Sequence, residues 1–344
     1  MRATRLKSAR YLSILFILVA GCEGSPYSDR GEPYILRHRT LYVVNGLSET
    51  LSAIDLEEGA VYNDILELGR WPNDLTSTPA GEALYVVNSG DNQVMEIDPS
   101  QGIVTMTADI GIGQNPWACE VAGAELWVSN FLSGEVSIID LTNGRLDQGL
   151  AVGTTLQAIL IEGDNVFVTD TNFQYGGFGA GRVIRLDRPG RMGAGEGAVG
   201  INPQDLLLDG SGRLHVLCTG DYTSESEGEV HLFDPLTLIP IDTLSLGGSP
   251  SAMCLGEGGM IYSVGYWGGI MAYRSDDFSS LFDATAPLME GDGFTDIVFD
   301  PAPGLLYVAE FDGDQVIGID PSTGRIVVSY RVSDGPLRLR LVEP

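Results

Sequence analysis

The chain reads LYVVNSGDNQVMEIDPSQG at residues 84–102, which is two short apolar segments joined by a polar loop and followed by a turn. We call the first of them, LYVVN, a pentad. The second segment, VMEID, ends in an Asp whose carboxylate can accept hydrogen bonds from the turn that follows it. The stretch predicts a β-hairpin, and the organisation of the whole chain depends on whether this hairpin recurs.

The hairpin recurs along the whole chain. Equivalent pentads begin at residues 41, 84, 126, 166, 214, 261 and 306, so the spacing varies between 40 and 48 residues. A second apolar strand follows each pentad, and most of these strands end in Asp. A Gly-x-x-Pro signal or a remnant of it precedes every pentad except the first. A period in the forties with three or four short strands in each unit is typical of a β-propeller blade.

The pentads are apolar on both faces, which suits strands sandwiched between neighbouring blades. We therefore predict an all-β, seven-bladed β-propeller over residues 34–344, as a single domain. The Gly-x-x-Pro signal that the first pentad lacks occurs instead after the last one, in SDGPLRLRLVEP at 333–344. We expect the C-terminal strand, at about 336–342, to join the first N-terminal blade and close the ring, because closure removes open sheet edges.

The repeats resemble the YVTN-type seven-bladed propeller repeat, whose signature is YVTN followed by a V-x-x-I-D-x-x-x-G strand and turn. The resemblance extends over residues 34–344. It implies the fold strongly and the function weakly, because propellers include binding proteins, lactonases, lyases and quinoproteins.

Residues 1–21 predict an export signal. Four basic residues precede the apolar run YLSILFILVA, which is too short to span a membrane. The run ends in LVAGC, which resembles a bacterial lipobox, so we expect lipidation of Cys22; a plain secretory signal is the alternative. Residues 22–33 would form a flexible tether. The prediction is a lipoprotein anchored to the cell envelope, at the outer membrane if the cell is Gram-negative, because Glu23 follows the Cys.

The composition limits the partners. Residues 1–21 contain four of the 19 basic residues and none of the 47 acids, so the remainder carries 15 basic residues and a charge near −32. Such a chain repels nucleic acid and anionic lipid, so we expect no nucleic-acid partner, membrane contact only through the lipid, and a monomer. Cys119, Cys218 and Cys254 are either free buried thiols or include one disulfide.

The connectivity predicts one functional face. The residues just after each Gly-x-x-Pro and those just after each pentad lie on the same side of a propeller, where they would form a polar funnel. Amides and aromatic rings suit small polar ligands, although Asn and Asp also recur simply because they favour turns. The candidate ligand-binding residues are Asn45, Trp71, Asn73, Asp74, Asn88, Trp117, Asn130, Gln157, Asp170, Gln204, Asp205, Thr295, Asp296, Glu310 and Arg338.

Two long loops interrupt the period on this same face, after Asp170 and after Cys218. Long insertions on one face of a repeat protein often carry its binding function, whereas the alternative is plain variation in loop length. The candidate partner-contacting residues in these loops are Phe173, Tyr175, Phe178, Asp221 and Tyr222.

These patterns favour a non-catalytic module that binds a ligand or an envelope protein, or acts as a scaffold. No catalytic residue, metal ligand or cofactor is assigned, because the three histidines show no ligand spacing and none is a good general base. The alternative is a lactonase-like hydrolase. Its carboxylates Asp74, Asp205, Asp296 and Glu310 would act on a divalent cation or as general acid and base.

Overall fold

The computed structural model of the chain describes residues 38–174, 176–224 and 226–343. The predicted signal, the lipidation site Cys22, the tether and Tyr175 lie outside the described residues. The described part contains seven four-stranded antiparallel sheets and one two-stranded hairpin. It is a seven-bladed β-propeller, as the sequence repeat predicts. None of the helices in this part of the chain is long and apolar enough to cross a membrane.

Each blade uses four strands, and the first blade takes its innermost strand from the C-terminus. A small hairpin, β14 (Phe173–Gln174) and β15 (Gly177–Phe178), lies in the loop of blade 4, and short 3-10 turns occur at Glu257–Gly259 and Phe311–Gly313. From the innermost strand outward, blade 1 consists of β30 (Pro336–Val342), β1 (Thr40–Asn45), β2 (Thr50–Asp55) and β3 (Ala60–Glu67), and blade 2 of β4 (Pro72–Ser77), β5 (Leu84–Asn88), β6 (Gln93–Asp98) and β7 (Ile103–Asp109). Blade 3 consists of β8 (Pro116–Ala122), β9 (Glu125–Asn130), β10 (Glu135–Asp140) and β11 (Arg145–Ala151), and blade 4 of β12 (Leu156–Glu162), β13 (Asn165–Asp170), β16 (Ala180–Asp187) and β17 (Met192–Ile201). Blade 5 consists of β18 (Pro203–Leu208), β19 (Leu214–Cys218), β20 (Glu229–Phe233) and β21 (Pro240–Ser245), blade 6 of β22 (Pro250–Leu255), β23 (Met260–Gly265), β24 (Ile270–Arg274) and β25 (Ser280–Phe282), and blade 7 of β26 (Phe294–Asp300), β27 (Leu305–Glu310), β28 (Gln315–Asp320) and β29 (Arg325–Arg331).

The hydrophobic core is divided among the interfaces between consecutive blades. In blade 1, Leu41 and Val43 pack against blade 7, whereas Tyr42 and Val44 pack against blade 2. Side chains alternate between the two faces of a strand, so a pentad that is apolar at successive positions fills both interfaces at once. Each fully buried Leu or Val contributes about 1.5–3 kcal/mol, which explains why the pentads are the most regular feature of the sequence.

The C-terminal strand closes the ring where the sequence predicts it. Strand β30 pairs with β1 in antiparallel register, with Leu339 opposite Val43 and Leu341 opposite Leu41. Leu339 and Val342 are buried in the interfaces on either side of blade 1. The N- and C-terminal parts of the propeller therefore share one sheet.

The Asp residues that end the second strands bond forward into their turns, as predicted. Asp98 Oδ1 accepts hydrogen bonds from the backbone N–H of Ser100 at 2.8 Å and of Gln101 at 3.1 Å. The same arrangement recurs at Asp320. The Asp side chains therefore fix the turn that separates the second and third strands of a blade.

The cysteines that follow Cys22 are free thiols in the structure. Cys119 and Cys218 are buried and Cys254 is half-buried. Burial is the main reason that the pKa of each thiol lies above its usual range, so these groups are neutral and poorly nucleophilic at neutral pH.

Candidate functional site

A β-bulge interrupts every innermost strand just after its first residue. In blade 2, Pro72 pairs with Asn88, and the next paired residue of the innermost strand is Asp74, opposite Val87. The innermost strand thus begins at the end of the sheet where the pentad strand ends. We call this end of the propeller the mouth of its central channel. The bulged residues at the mouth are Asn73, Trp117, Gln157, Gln204, Ser251, Thr295 and Leu337.

The residues that end the first four pentads are buried at the mouth end of their strands. Asn45 Nδ2 donates to Ser52 Oγ at 2.8 Å, and Asn130 Nδ2 donates to Ser137 Oγ at 2.9 Å. Both bonds stay within one hairpin, so they hold the turn. The four side chains have no exposed surface, and they are Asn45, Asn88, Asn130 and Asp170.

The residue after each bulge forms the uppermost layer of the channel. Three of these residues are Asp, and each accepts a hydrogen bond from the next blade. Asp74 Oδ2 accepts from the N–H of Cys119 at 2.9 Å, and Asp205 Oδ2 accepts from the N–H of Met253 at 2.7 Å. The third bond, from the N–H of Leu339 to Asp296 Oδ2, is also 2.7 Å long. The full layer is Asp74, Ala118, Ala158, Asp205, Ala252, Asp296 and Arg338.

Arg338 is the cation of this layer. Its Nε lies 3.8 Å from Asp74 Oδ1 and donates to the carbonyl of Asn73 at 3.2 Å. Burial works to lower the pKa of Arg338, but the attraction of Asp296, Asp74 and Asp205 outweighs it, so the pKa of Arg338 rises. The arginine therefore stays charged and faces all three carboxylates.

Burial raises the pKa of all three carboxylates above the usual range of Asp. Burial raises the pKa of Asp205 to about 7, against the hydrogen bonds from the N–H groups of Met253 and Leu206. Burial raises the pKa of Asp296 to about 6, and Arg338 opposes this shift. The pKa of Asp74 is raised for the same reason. The mouth thus changes its charge between about pH 5 and pH 8.

A second layer of charge lies two residues further along the innermost strands. Burial raises the pKa of Glu120 to about 7, and Arg340 opposes the shift. Arg340 Nε donates to Ser77 Oγ at 2.9 Å. The cavity of about 370 Å³ that these two layers line runs from Trp117 and Gln204 at the mouth to Phe299.

A continuous arc of aromatic rings lies at the mouth and crosses blades 3 to 6. Phe173 and Phe178, from the loop of blade 4, have ring centroids 5.0 Å apart. Gln204 Nε2 donates to the hydroxyl of Tyr222 at 3.0 Å, which connects the arc to a bulged residue of the channel. We call this set the aromatic arc; its successive centroids are 5.0–6.4 Å apart, and its members are Trp117, Phe131, Phe173, Phe178, Tyr222, Trp267 and Tyr266.

The aromatic arc unites residues that the sequence analysis treated separately. It brings Trp117 from the predicted funnel together with Phe173, Phe178 and Tyr222 from the two predicted loops. Trp71 lies at the same end of the propeller and is 55 % exposed. Asp221 faces its own loop, because its Oδ1 accepts from the N–H of Thr223 at 2.8 Å.

Three members of the aromatic arc were missed by the sequence analysis. Phe131 and Tyr266 are the first residues after their pentads, and Trp267 is the second. An aromatic residue at this position in several blades was a signal that could have identified them. Two further predicted residues bond within the protein: Thr295 Oγ1 donates to the carbonyl of Pro336 in blade 1 at 2.9 Å, and half-buried Glu310 accepts from Gln315.

The channel carboxylates do not share a metal-ligand geometry. In the described ranges, the only three His, Cys, Asp or Glu side chains whose ligand atoms all lie within 4.8 Å of one another are His38, Asp55 and Glu58. That group lies at the start of blade 1, where His38 Nδ1 and Asp55 Oδ2 are 2.8 Å apart.

Comparisons with known proteins support the fold. No protein-family model matches the sequence, and no curated protein matches it. A solved structure from Bacteroides uniformis, of a candidate 6-phosphogluconolactonase, has a TM-score of 0.69 and 18 % identity, covering 89 % of this chain and 99 % of that chain. A second candidate 6-phosphogluconolactonase, from Bacteroides fragilis, has a TM-score of 0.66 and 16 % identity, covering 89 % and 98 %. A streptogramin B lyase has a TM-score of 0.58 and 12 % identity, covering 76 % and 83 %. At these identities the likeness establishes the fold alone.

Proposed function

We propose that this protein is an exported, lipid-anchored binding module that takes a small organic ligand at the mouth of its channel. The observation that carries this proposal is the position of the aromatic arc beside the charged layer of Arg338, Asp205 and Asp296. Ligand sites combine apolar and aromatic walls with a few polar groups that fix orientation. Here the arc supplies the walls, and the charged layer supplies the polar groups.

The construction of the aromatic arc supports a binding role. Loops of four different blades contribute rings to it, although each blade already has its own core at its two interfaces. Phe173 is 36 % exposed, and the other members are half-buried. Apolar surface that is gathered in one place and rimmed by polar groups marks interaction sites. The loops after Asp170 and Cys218, which are the longest departures from the repeat, supply Phe173, Phe178 and Tyr222.

Anchoring at Cys22 would hold the propeller near a membrane surface by the end opposite the mouth, because β1 begins there at Thr40 and reaches the mouth only at Asn45. A flexible tether of residues 22–33 would have a root-mean-square span of about 20 Å. The acidic propeller would be repelled by anionic lipid, so the tether would hold it near the membrane without adsorption. Mass spectrometry of protein extracted from membranes would show the lipid on Cys22, and Cys22→Ser would release the protein.

Binding is tested by thermal shift with a panel of neutral monosaccharides, organic cations, Ca²⁺ and Mg²⁺. A compound that raises the melting temperature should lose at least tenfold in affinity in Trp117→Leu and in Phe173→Ser. The matched control is Ile326→Ser, because Ile326 is 52 % exposed on the outer strand of blade 7. Equal affinity in the mouth variants and the control would contradict the proposal.

A lactonase-like hydrolase is the second candidate function, and the channel carboxylates favour it. A general base works best when its pKa lies near the working pH, and Asp205, Asp296 and Glu120 have pKa values of about 6 to 7. Arg338 could stabilise an oxyanion. The likeness to two candidate 6-phosphogluconolactonases is consistent with this proposal. The strongly acidic chain disfavours a phosphorylated substrate, so the substrate would be a neutral lactone.

Hydrolysis of a neutral δ-lactone distinguishes the two functions. An enzyme would show turnover that rises between pH 5 and 8 as the carboxylates ionise, and Asp205→Asn would abolish it without loss of folding. A pure binding module would bind ligands without turnover at any pH. Turnover that survives in Asp205→Asn would exclude this residue as the base.

A further inference from the structure

We infer that the ligand of the proposed binding site is an organic cation, a quaternary ammonium or protonated amine, held by Tyr222, Trp267 and Tyr266. This inference rests on the proposed binding function and adds the class of ligand. We call these three residues the aromatic corner. They form the end of the aromatic arc over blades 5 and 6.

The geometry of the aromatic corner provides walls on more than one side. The ring of Trp267 meets the ring of Tyr222 at 75°, with centroids 6.4 Å apart. It meets the ring of Tyr266 at 79°, with centroids 5.8 Å apart. Neighbouring rings that stand almost perpendicular enclose a corner, whereas stacked rings would present one flat surface. Proteins recognise quaternary ammonium groups with such aromatic cages, because a cation is attracted to the ring faces.

A carboxylate makes one wall of the corner a better partner for a cation. The hydroxyl of Tyr266 donates to Asp312 Oδ2 at 3.1 Å. Burial raises the pKa of this phenol first, and the hydrogen bond and the negative charges of Asp312 and Asp292 raise it further. A phenol that donates to a carboxylate carries extra electron density in its ring, and the carboxylate adds its own attraction for a cation.

The charged residues in the loops around the corner are all acidic. The four connections that surround it, residues 219–228, 266–269, 283–293 and 311–314, contain eight acidic and no basic residues. Complementary charge raises both the association rate and the local concentration of a ligand. This charge favours a cation over a neutral sugar, although the same rings could stack on either.

The backbone holds the corner in place before any ligand binds. The amide of Ile270 donates to the carbonyl of Met289 at 2.9 Å, and the amide of Gly293 donates to the carbonyl of Tyr266 at 2.9 Å. Gly269 has a φ of +69°, and a Cβ atom there would lie 2.2 Å from the carbonyl oxygen of Met289. The turn after Trp267 therefore requires glycine, and it fixes the indole against the neighbouring blade.

Tyr222 is held in a strained conformation. Its φ is +64°, in the left-handed region that bulky residues rarely adopt. Strain of this kind persists where the surrounding structure enforces it, and it is frequent at ligand sites. The bond from Gln204 Nε2 to its hydroxyl orients the ring. The aromatic corner is thus preorganised, which lowers the entropic cost of binding.

The test compares choline and tetramethylammonium with 3,3-dimethylbutan-1-ol, the neutral carbon analogue of choline, by calorimetry and tryptophan fluorescence at constant ionic strength. Both cations should bind saturably, and the neutral analogue should bind at least tenfold more weakly. Trp267→Leu and Tyr222→Leu should each weaken choline binding by about tenfold, while Tyr222→Phe, which keeps the ring but loses the bond from Gln204, should weaken it only about twofold. Asp312→Asn should weaken it several-fold. The control Ile326→Ser changes an exposed apolar side chain on the outer strand of blade 7 and should leave affinity unchanged.

The outcomes separate this inference from the proposed function. Equal affinity for choline and its neutral analogue would overturn the inference and leave a binding site of another class. The same holds if a neutral sugar binds and the cations do not. If neither cations nor sugars bind to the folded protein, the inference and the binding function both fail. Circular dichroism and the melting temperature of each variant show whether lost affinity reflects lost folding, and a much smaller loss in Tyr222→Phe than in Tyr222→Leu guards against that explanation.

Discussion

Arg338 Nε lies 3.8 Å from Asp74 Oδ1, although the two residues are 264 positions apart in the chain. Arg338 belongs to the C-terminal closing strand, and Asp74 belongs to the innermost strand of blade 2. The ion pair therefore connects the closing strand to the next blade, across the interface that ring closure creates. Asp296 completes the connection from the other side, because its Oδ2 accepts the N–H of Leu339 at 2.7 Å.

Arg338→Met should lower the free energy of unfolding by about 3 kcal/mol at pH 8. The substitution leaves three half-buried carboxylates without their cation. The loss should be smaller at pH 5, where more of these carboxylates are protonated and need no counter-charge. Urea unfolding at both pH values measures the two losses. The control is Arg331→Met: Arg331 is 77 % exposed and 3.7 Å from Asp314, so its removal should cost under about 0.5 kcal/mol. A loss for Arg338→Met that does not change with pH would contradict the assigned electrostatics.

Asp205→Asn should flatten the dependence of stability on pH between about 4 and 7. The pKa of Asp205 is raised to about 7 in the folded state, so between these pH values the folded state binds more protons than the unfolded state. The stabilisation that Asp205 provides is therefore fully present below the pKa that it has in the unfolded chain, and it is lost as the pH rises through about 7. A tenfold difference in proton affinity between the folded and unfolded states is worth about 1.4 kcal/mol of stability. Thermal and urea unfolding from pH 4 to pH 8 would show the difference between the native protein and the variant.

The matched control for this pH experiment is Asp320→Asn. The pKa of Asp320 is lowered, first by its hydrogen bond with the Ser322 hydroxyl. The stabilisation that Asp320 provides is therefore present above the pKa that it has in the unfolded chain and is lost as the pH falls. This pH dependence is opposite in sign to that of Asp205. If both variants changed the profile in the same direction, the assignment for Asp205 would be wrong.

The sequence predicts the blades well because the residues that repeat have the same structural role in successive blades. The pentad fills two interfaces, and the Asp after the second strand fixes a turn, so both recur in phase. The displaced Gly-x-x-Pro signal was enough to predict the closing strand at 336–342, and β30 spans Pro336–Val342. Equivalent positions of a radial repeat meet at its axis, which is why Asp74, Asp205, Asp296 and Arg338 could be grouped from the sequence.

The aromatic arc could be predicted only in part. Its contacts join loops of different blades, and the path of a loop depends on local bonds that follow no period. The small hairpin of β14 and β15, which brings Phe173 opposite Phe178, has no equivalent in the other blades. Glu120 and Arg340 were also missed, although they lie two residues beyond positions that were identified and side chains alternate along a strand.

Asp170→Asn should lower the free energy of unfolding by about 3 kcal/mol and leave ligand affinity unchanged. Asp170 is fully buried and accepts bonds from the N–H groups of Thr154 and Thr155 at 3.0 Å and from Arg182 Nη2 at 2.9 Å. Burial would raise its pKa, but these bonds outweigh burial and lower it. The stabilisation therefore disappears as the pH falls below the unfolded value. Denaturant unfolding at pH 3 and pH 7 checks both the size and the sign.

The control for Asp170→Asn is Asp164→Asn. The Asp164 side chain is 75 % exposed, and its carboxylate lies 3.8 Å from Arg188. Its loss should cost under about 0.5 kcal/mol. If Asp170→Asn weakened ligand binding without a loss of stability, Asp170 would contact the ligand, as the sequence analysis allowed, and its structural role would be secondary.

Removal of residues 333–344 should open the ring and cause aggregation, because β1 would lose β30, one of its two partner strands, and expose a sheet edge. A milder variant tests the same closure in folded protein. Leu339→Ala should cost about 2–5 kcal/mol, since Leu339 is 4 % exposed in the interface between blades 7 and 1. Leu337→Ala, at the half-buried bulge of the same strand, should cost less than half as much. Size-exclusion chromatography with light scattering would detect aggregation of the truncated chain, and urea unfolding would rank the two substitutions. A truncated chain that stays monomeric with an unchanged melting temperature would show that the C-terminal strand does not hold the ring closed.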